Sequence, residues 1–127
     1  MIVESLDKQF AVLINSLKEM VGQVDAAGLL RSAAVIEQVF GGLTSNLWDD
    51  PFEWTLPETL STPDRVIDHL SEVDALRQRF FSSLDGDEAL SKLVSVPSGE
   101  PRALVELLLE TLVKASDYRG RAQNSFR

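Results

Sequence analysis

Four stretches of this chain repeat apolar residues at steps of three and four, and none sustains the alternation of a half-buried strand. That period leaves packed α-helices as the way to bury the apolar side chains. The first stretch runs Leu6, Phe10, Leu13, Leu17, Met20 and Val24, and the second starts near Ser32 with Ile36, Val39, Phe40, Leu43 and Leu47. The third carries Val66, Ile67, Leu70, Val73, Leu76, Phe80, Phe81 and Leu84. The fourth carries Leu104, Val105, Leu108, Leu109, Leu112, Val113 and Ala115, a face broad enough for a central helix that touches more than one neighbour. With 127 residues the chain can build one core and not two, so residues 1–127 are expected to form one all-α domain, a four-helix bundle.

Turn and cap residues punctuate the stripes. Asp25-Ala26-Ala27-Gly28 reads as the end of the first helix, with Gly28 able to take the left-handed C-terminal position. Thr62-Pro63-Asp64 is a helix start: a Thr N-cap, Pro at the first helical position, and Asp near the positive end of the dipole. Asp85-Gly86 stops that helix, and a short helical turn is expected from Asp87 to Leu93, then a loop through Val96-Pro97-Ser98-Gly99. Pro101 suits the first turn of the last helix and Arg119-Gly120 its end. Gly41-Gly42 falls inside the second helix, where each Gly costs about 0.5–1 kcal/mol relative to Ala. A close helix crossing, a kink, or backbone approach to a ligand would explain the pair, and small residues at a close contact are the commonest of the three. Trp48 to Ser61 holds two prolines and no period, giving a long loop between helices 2 and 3 that contains both Trp48 and Trp54. The loop is either pinned to the bundle by its aromatics or serves as a lid over a pocket.

Charge narrows the partners. Asp and Glu outnumber Lys and Arg by 20 to 12, for a formal charge of -8, a sign that repels nucleic-acid phosphates and anionic membranes. The C-terminal Arg119, Arg121 and Arg127 fit a helix end better than a phosphate-binding patch. No apolar run approaches the roughly 20 residues that span a bilayer. No basic segment followed by an apolar one opens the chain, so no secretory signal is expected and the cytoplasm is the expected setting. Without cysteine, disulfides, thiolate metal sites and a Cys nucleophile are excluded together.

No residue set completes a catalytic or metal-binding constellation. His69, the only histidine, lies on the third helix beside Asp68, Glu72 and Asp74; neighbouring acids on a helix point in different directions, which favours a surface or partly buried histidine over a zinc ligand. Glu106 and Glu110 stand one turn apart on the last helix, yet no Glu-x-x-His accompanies them as a di-iron bundle requires. Asp49 and Asp50 are a further carboxylate pair, in the long loop. Phosphate-cradling glycine loops and Gly-x-Ser-x-Gly turns are absent.

The final segment, Leu107-Leu108-Leu109-Glu110-Thr111-Leu112-Val113-Lys114-Ala115-Ser116-Asp117-Tyr118-Arg119-Gly120-Arg121-Ala122-Gln123, resembles the last helix of the DinB-like four-helix bundle family. There an apolar run leads into His-x-x-x-His, then Arg-Gly and often a Gln; Arg119-Gly120 stands in place here. The order of elements is also similar, with a second helix running into Asn46-Leu47-Trp48, a long loop, and a third helix opening at Thr62-Pro63. Members that bind a divalent metal use one His of the second helix and the two of the last. The resemblance carries those positions to Val39, within one residue, and to Lys114 and Tyr118. Valine and an ammonium group are not metal ligands and tyrosine is a rare one, so a degenerate member without metal or other cofactor is implied.

A cavity between helices then remains as the candidate site, with Trp48, Trp54, Phe40 and His69 as its lining or lid. The expected function is small-molecule binding or protein interaction, in a homodimer by analogy with the family, with helices 1 and 4 as its faces. The competing reading is a metal-dependent hydrolase or thiol transferase of the family's type, with His69, Asp117 or Glu110 as substitute ligands. A purely structural partner-binding bundle is the third, and it would need an exposed apolar stripe.

Overall fold

Four helices make up the computed structural model, which describes residues 2–49, 62–97 and 99–124: α1 (Ile2–Met20), α2 (Ala26–Ser45), α3 (Pro63–Ser82) and α4 (Leu104–Asn124). Between α3 and α4 lie a 3-10 turn (Asp87–Ser91) and two strands of two residues each, β1 (Leu93–Val94) and β2 (Arg102–Ala103). The all-α bundle is as the periodicity predicts. Residues 50–61, most of the expected long loop, and with them Trp54, lie outside the described residues.

Thr62 caps α3 as its sequence implies, its hydroxyl accepting from the Arg65 N–H at 3.3 Å. Other ends differ from expectation. α1 stops at Met20, where Gly22 takes the positive φ of 86°. Asp25 opens α2 instead of closing α1, its carboxylate accepting from the Ala27 N–H at 3.2 Å. α2 therefore starts six residues before Ser32, at Ala26. α4 begins after Pro101, at Leu104, because Arg102 and Ala103 pair with Val94 and Leu93 in the short ladder. It also continues through Gly120 to Asn124.

Paired residues fix the topology. Ile2 and Val3 donate to the Asp87 carboxylate just past α3, while Val21 and Val24 after α1 stand by Thr62 and Pro63 at the start of α3, so these helices are antiparallel. Glu37 meets His69 and Phe40 meets Phe80, which makes α2 and α3 parallel. Gly28 faces Ala122, and the buried Ser32 hydroxyl donates to the Ala115 carbonyl at 2.7 Å, so α2 and α4 are antiparallel. The helices run up, down, down, up, an order that needs a crossover between the two parallel members. α2 packs most extensively on α4, and α3 and α4 sit across the diagonal. Leu6, Phe10, Leu13, Ile14, Leu17, Leu29, Ile36, Leu70, Val73 and Leu108 fill the shared core.

Phe10, Phe40, Phe80 and Phe81 form one aromatic cluster at the junction of α1, α2 and α3, with ring centroids 5.2 to 6.0 Å apart. Edge-to-face and tilted pairs of this kind stabilise by about 0.5–1.5 kcal/mol each beyond their buried area.

Candidate functional site: the cleft between α2 and α4

The C-terminus of α2 builds one wall of the site. Asn46 adopts the left-handed conformation (φ 56°, ψ 30°), which its short polar side chain tolerates, and its N–H closes the helix on the carbonyls of Gly41 and Gly42. The chain thereby turns back along its own helix. Trp48 folds over Gly42, its Nε1–H donating to Asn46 Oδ1 at 3.1 Å, while the Gln38 amide donates to the Trp48 carbonyl at 2.8 Å. The indole sits so close to Gly42 that a Cβ there would overlap the fused ring. The close helix crossing expected for the Gly41-Gly42 pair is not what is found: Gly42 packs against the Trp48 ring and Gly41 against the Leu47 carbonyl.

The opposite wall comes from α4 and the short ladder. Pairing of Arg102 with Val94 fixes the backbone just ahead of α4, and the Arg102 side chain then lies along that helix. Its Nη2 reaches Glu110 at 2.7 Å and Glu106 at 3.3 Å. The Glu110 carboxyl is held below the ordinary carboxylate range, first by the hydrogen bond from Arg102, then by the charges of Arg102 and Lys114, with desolvation opposing. Val96 and Pro97 overhang from the loop between the strands.

Between the walls lies a cleft of about 310 Å³. Val35, Val39, Leu107 and the Trp48 ring are its apolar surfaces, and Gln38, Arg102, Glu110 and Lys114 its polar ones. Thr111 also faces it, but the Thr111 hydroxyl donates to the Leu107 carbonyl at 2.7 Å. Lys114 makes no ion pair within 4 Å among the described residues. Glu110 is held by Arg102, and Asp117, the other carboxylate near it in sequence, is held by Arg121 at 2.8 Å.

Four of the residues singled out from the sequence thus come together in one place: Val39, Trp48, Glu110 and Lys114. Tyr118, a turn further along α4, has two cations at its ring, Arg31 and Arg121 at 5.9 and 5.3 Å from the centroid. Phe40 is fully buried in the aromatic cluster. His69 lies on α3, its Nε2 3.1 Å from Glu37 Oε1 and its Nδ1 3.7 Å from Glu72. Glu37 Oε1 is sealed from solvent, and although short in distance its contact with His69 departs from hydrogen-bond direction. Gln38 and Arg102 carried no sequence signal, because one is a lone amide on an apolar helix and the other acts through a ladder too short to show a period.

The donors present do not suit a metal. Val39 and Lys114 offer no ligand atom, and among the described residues no group of three His, Cys, Asp or Glu is placed to hold an ion. Nor do the described residues lining the cleft set a nucleophile beside a base. They bring apolar side chains, an amide and an exposed, unpaired ammonium to one cleft. No described helix is long and apolar enough to cross a membrane. No family model, curated protein or solved structure matches the chain.

Proposed function

We propose that this chain is a metal-independent binding module, a degenerate DinB-like bundle whose cleft between α2 and α4 takes a small molecule. The observation that carries the reading is the Lys114 ammonium, which no carboxylate among the described residues neutralises at contact distance, facing a slot walled by Val35, Val39, Leu107 and Trp48. Small-molecule sites are mostly apolar with a few placed polar groups, and they commonly lie between helices of bundles. The enzyme alternative, a hydrolase or thiol transferase using His69, Asp117 or Glu110, has less support. His69 is on the helix diagonal to α4 and paired with Glu37, while both carboxylates already face an arginine.

A screen of small molecules against the full chain, read by amide and side-chain NMR shifts, tests the proposal. Shifts confined to Gln38, Val39, Trp48 and Lys114 are expected. Hits that cluster elsewhere, or none at millimolar concentration, would remove the reading.

A second copy of the chain is the proposed protein partner. Val12 on α1 and Leu109 and Val113 on α4 are 55%, 48% and 70% exposed on adjoining helices, and closed two-fold pairs are the commonest assemblies. Light scattering that returns a monomer mass at micromolar concentration excludes the pair. A cytoplasmic setting goes with this reading and with the lack of cysteine.

A further inference from the structure

The geometry points to an organic monocarboxylate with a compact apolar body as the ligand of the α2–α4 cleft, an inference that rests on the cleft being a small-molecule site. Three features select that chemistry.

Charge is the first. In a chain of net charge -8 this cleft gathers two cations, Arg102 and Lys114, on one lining. Arg102 is answered by Glu110 and, at a longer 3.3 Å, by the exposed Glu106. Lys114 is the one cation of this lining with no carboxylate within 4 Å among the described residues, its charge acting on Glu110 only from further off. A cationic ligand would have to approach that ammonium, and a dianion would bring a second charge against Glu110. A single carboxylate matches the single ammonium and accepts its hydrogen bonds in the stronger, charge-assisted form. The weak Arg102–Glu106 contact can also yield, since a ligand carboxylate can take the guanidinium donors that Glu106 holds loosely.

The apolar wall is the second feature. Val35, Val39 and Leu107 are at most 9% exposed and present branched aliphatic carbons, and Trp48 lines the same cleft. An inorganic anion would leave this surface wet and unused. A ligand with an aryl or short alkyl body covers it.

Size is the third. A volume of about 310 Å³ lies at the small end of ligand sites, the size of a compact aryl or short alkyl acid.

The test uses the full chain titrated with 3-phenylpropanoate, 3-phenylpropanol, 3-phenylpropylamine and inorganic phosphate. Binding is followed by NMR at the Trp48 indole N–H and the Gln38 side-chain amide. The carboxylate should saturate, with the alcohol, amine and phosphate each about tenfold weaker or more. Lys114→Met, which keeps the apolar stem of an exposed residue, should weaken the carboxylate by about tenfold or more, and Lys114→Arg should retain most of the binding. Equal binding of alcohol and carboxylate, unchanged in Lys114→Met, overturns the anion inference and leaves the small-molecule site standing. Phosphate binding as tightly as the carboxylate overturns the apolar half of it. No saturable shift at either reporter with any of the four removes both readings together.

Discussion

The Trp48 indole rests on Gly42, closing α2 and one side of the cleft with the same contact. A methyl group at position 42 has no room unless the ring leaves. Gly42→Ala should therefore destabilise the fold by about 1–3 kcal/mol, the range for overpacking, despite a helix-propensity gain of about 0.5–1 kcal/mol. Gly41→Ala, whose Cβ would stand 3.2 Å from the Leu47 carbonyl oxygen, should cost less. Urea denaturation of both variants checks the order. If Gly42→Ala is as stable as the parent with an unmoved Trp48 indole resonance, the packing argument fails.

The Gly41-Gly42 pair shows how much of the structure was legible beforehand. A glycine pair inside an amphipathic helix announces a close contact, but the partner is set by Asn46, whose left-handed turn returns the chain onto its own helix. Local rules worked where one residue type has one dominant use, as with Thr62 and Pro63. They failed where a residue has two: Asp25 and Gly28 read as a helix end, yet Asp25 caps α2 and Gly28 makes room for Ala122 of α4. Gly120 read as a stop because glycine costs helix stability, a penalty that packing of Ala122 beyond it overrides. Of the residues that line the cleft, Val39, Trp48, Glu110 and Lys114 were among those the sequence singled out. The charge balance of the cleft was not legible, because Arg102 reaches Glu110 over eight residues of chain only after a two-residue ladder has aimed it.

His69 gives a pH dependence with a definite sign. The Glu37 carboxylate, 3.1 Å away, raises its pKa, with a smaller push from Glu72 and with burial opposing. The folded protein therefore keeps a proton that the unfolded chain releases near pH 6.5. The resulting stability is complete below that pH and shrinks as pH rises through the higher folded-state value. Thermal unfolding of the parent should fall between about pH 6 and 8 relative to His69→Gln, in which this slope is absent. Parallel curves for the two proteins would refute the pairing.

Arg77 is buried on α3, with its Nε 2.8 Å from Asp74 Oδ1 and its Nη1 paired to Asp7 of α1. Removing the cation strands two carboxylates that are only 37% and 20% exposed. Arg77→Met preserves much of the volume, so the loss reports charge and not a cavity; about 1–3 kcal/mol is expected. Adding Asp7→Asn and Asp74→Asn should return part of it, because the stranded charges are then gone. A single Arg77→Met variant with parental stability in urea would show that water already screens the pair.

Metal content separates the binding module from the enzyme alternative, and the expected answer follows from charge as well as from ligand count. In a metal-binding bundle of the kind proposed above as this chain's relative, two imidazoles one turn apart on the last helix share a face and grip one ion. On that reading Lys114 and Tyr118 stand there instead, the first an ammonium in the cleft and the second with Arg31 and Arg121 against its ring. Two unit charges about 4 Å apart repel by about 4 kcal/mol at an effective dielectric near 20, and a divalent ion doubles that. Elemental analysis of protein purified without chelator should find well under one zinc, nickel or iron per chain. Stoichiometric metal, lost on changing His69 or Asp117, would instead establish substitute ligands and overturn the binding-module reading.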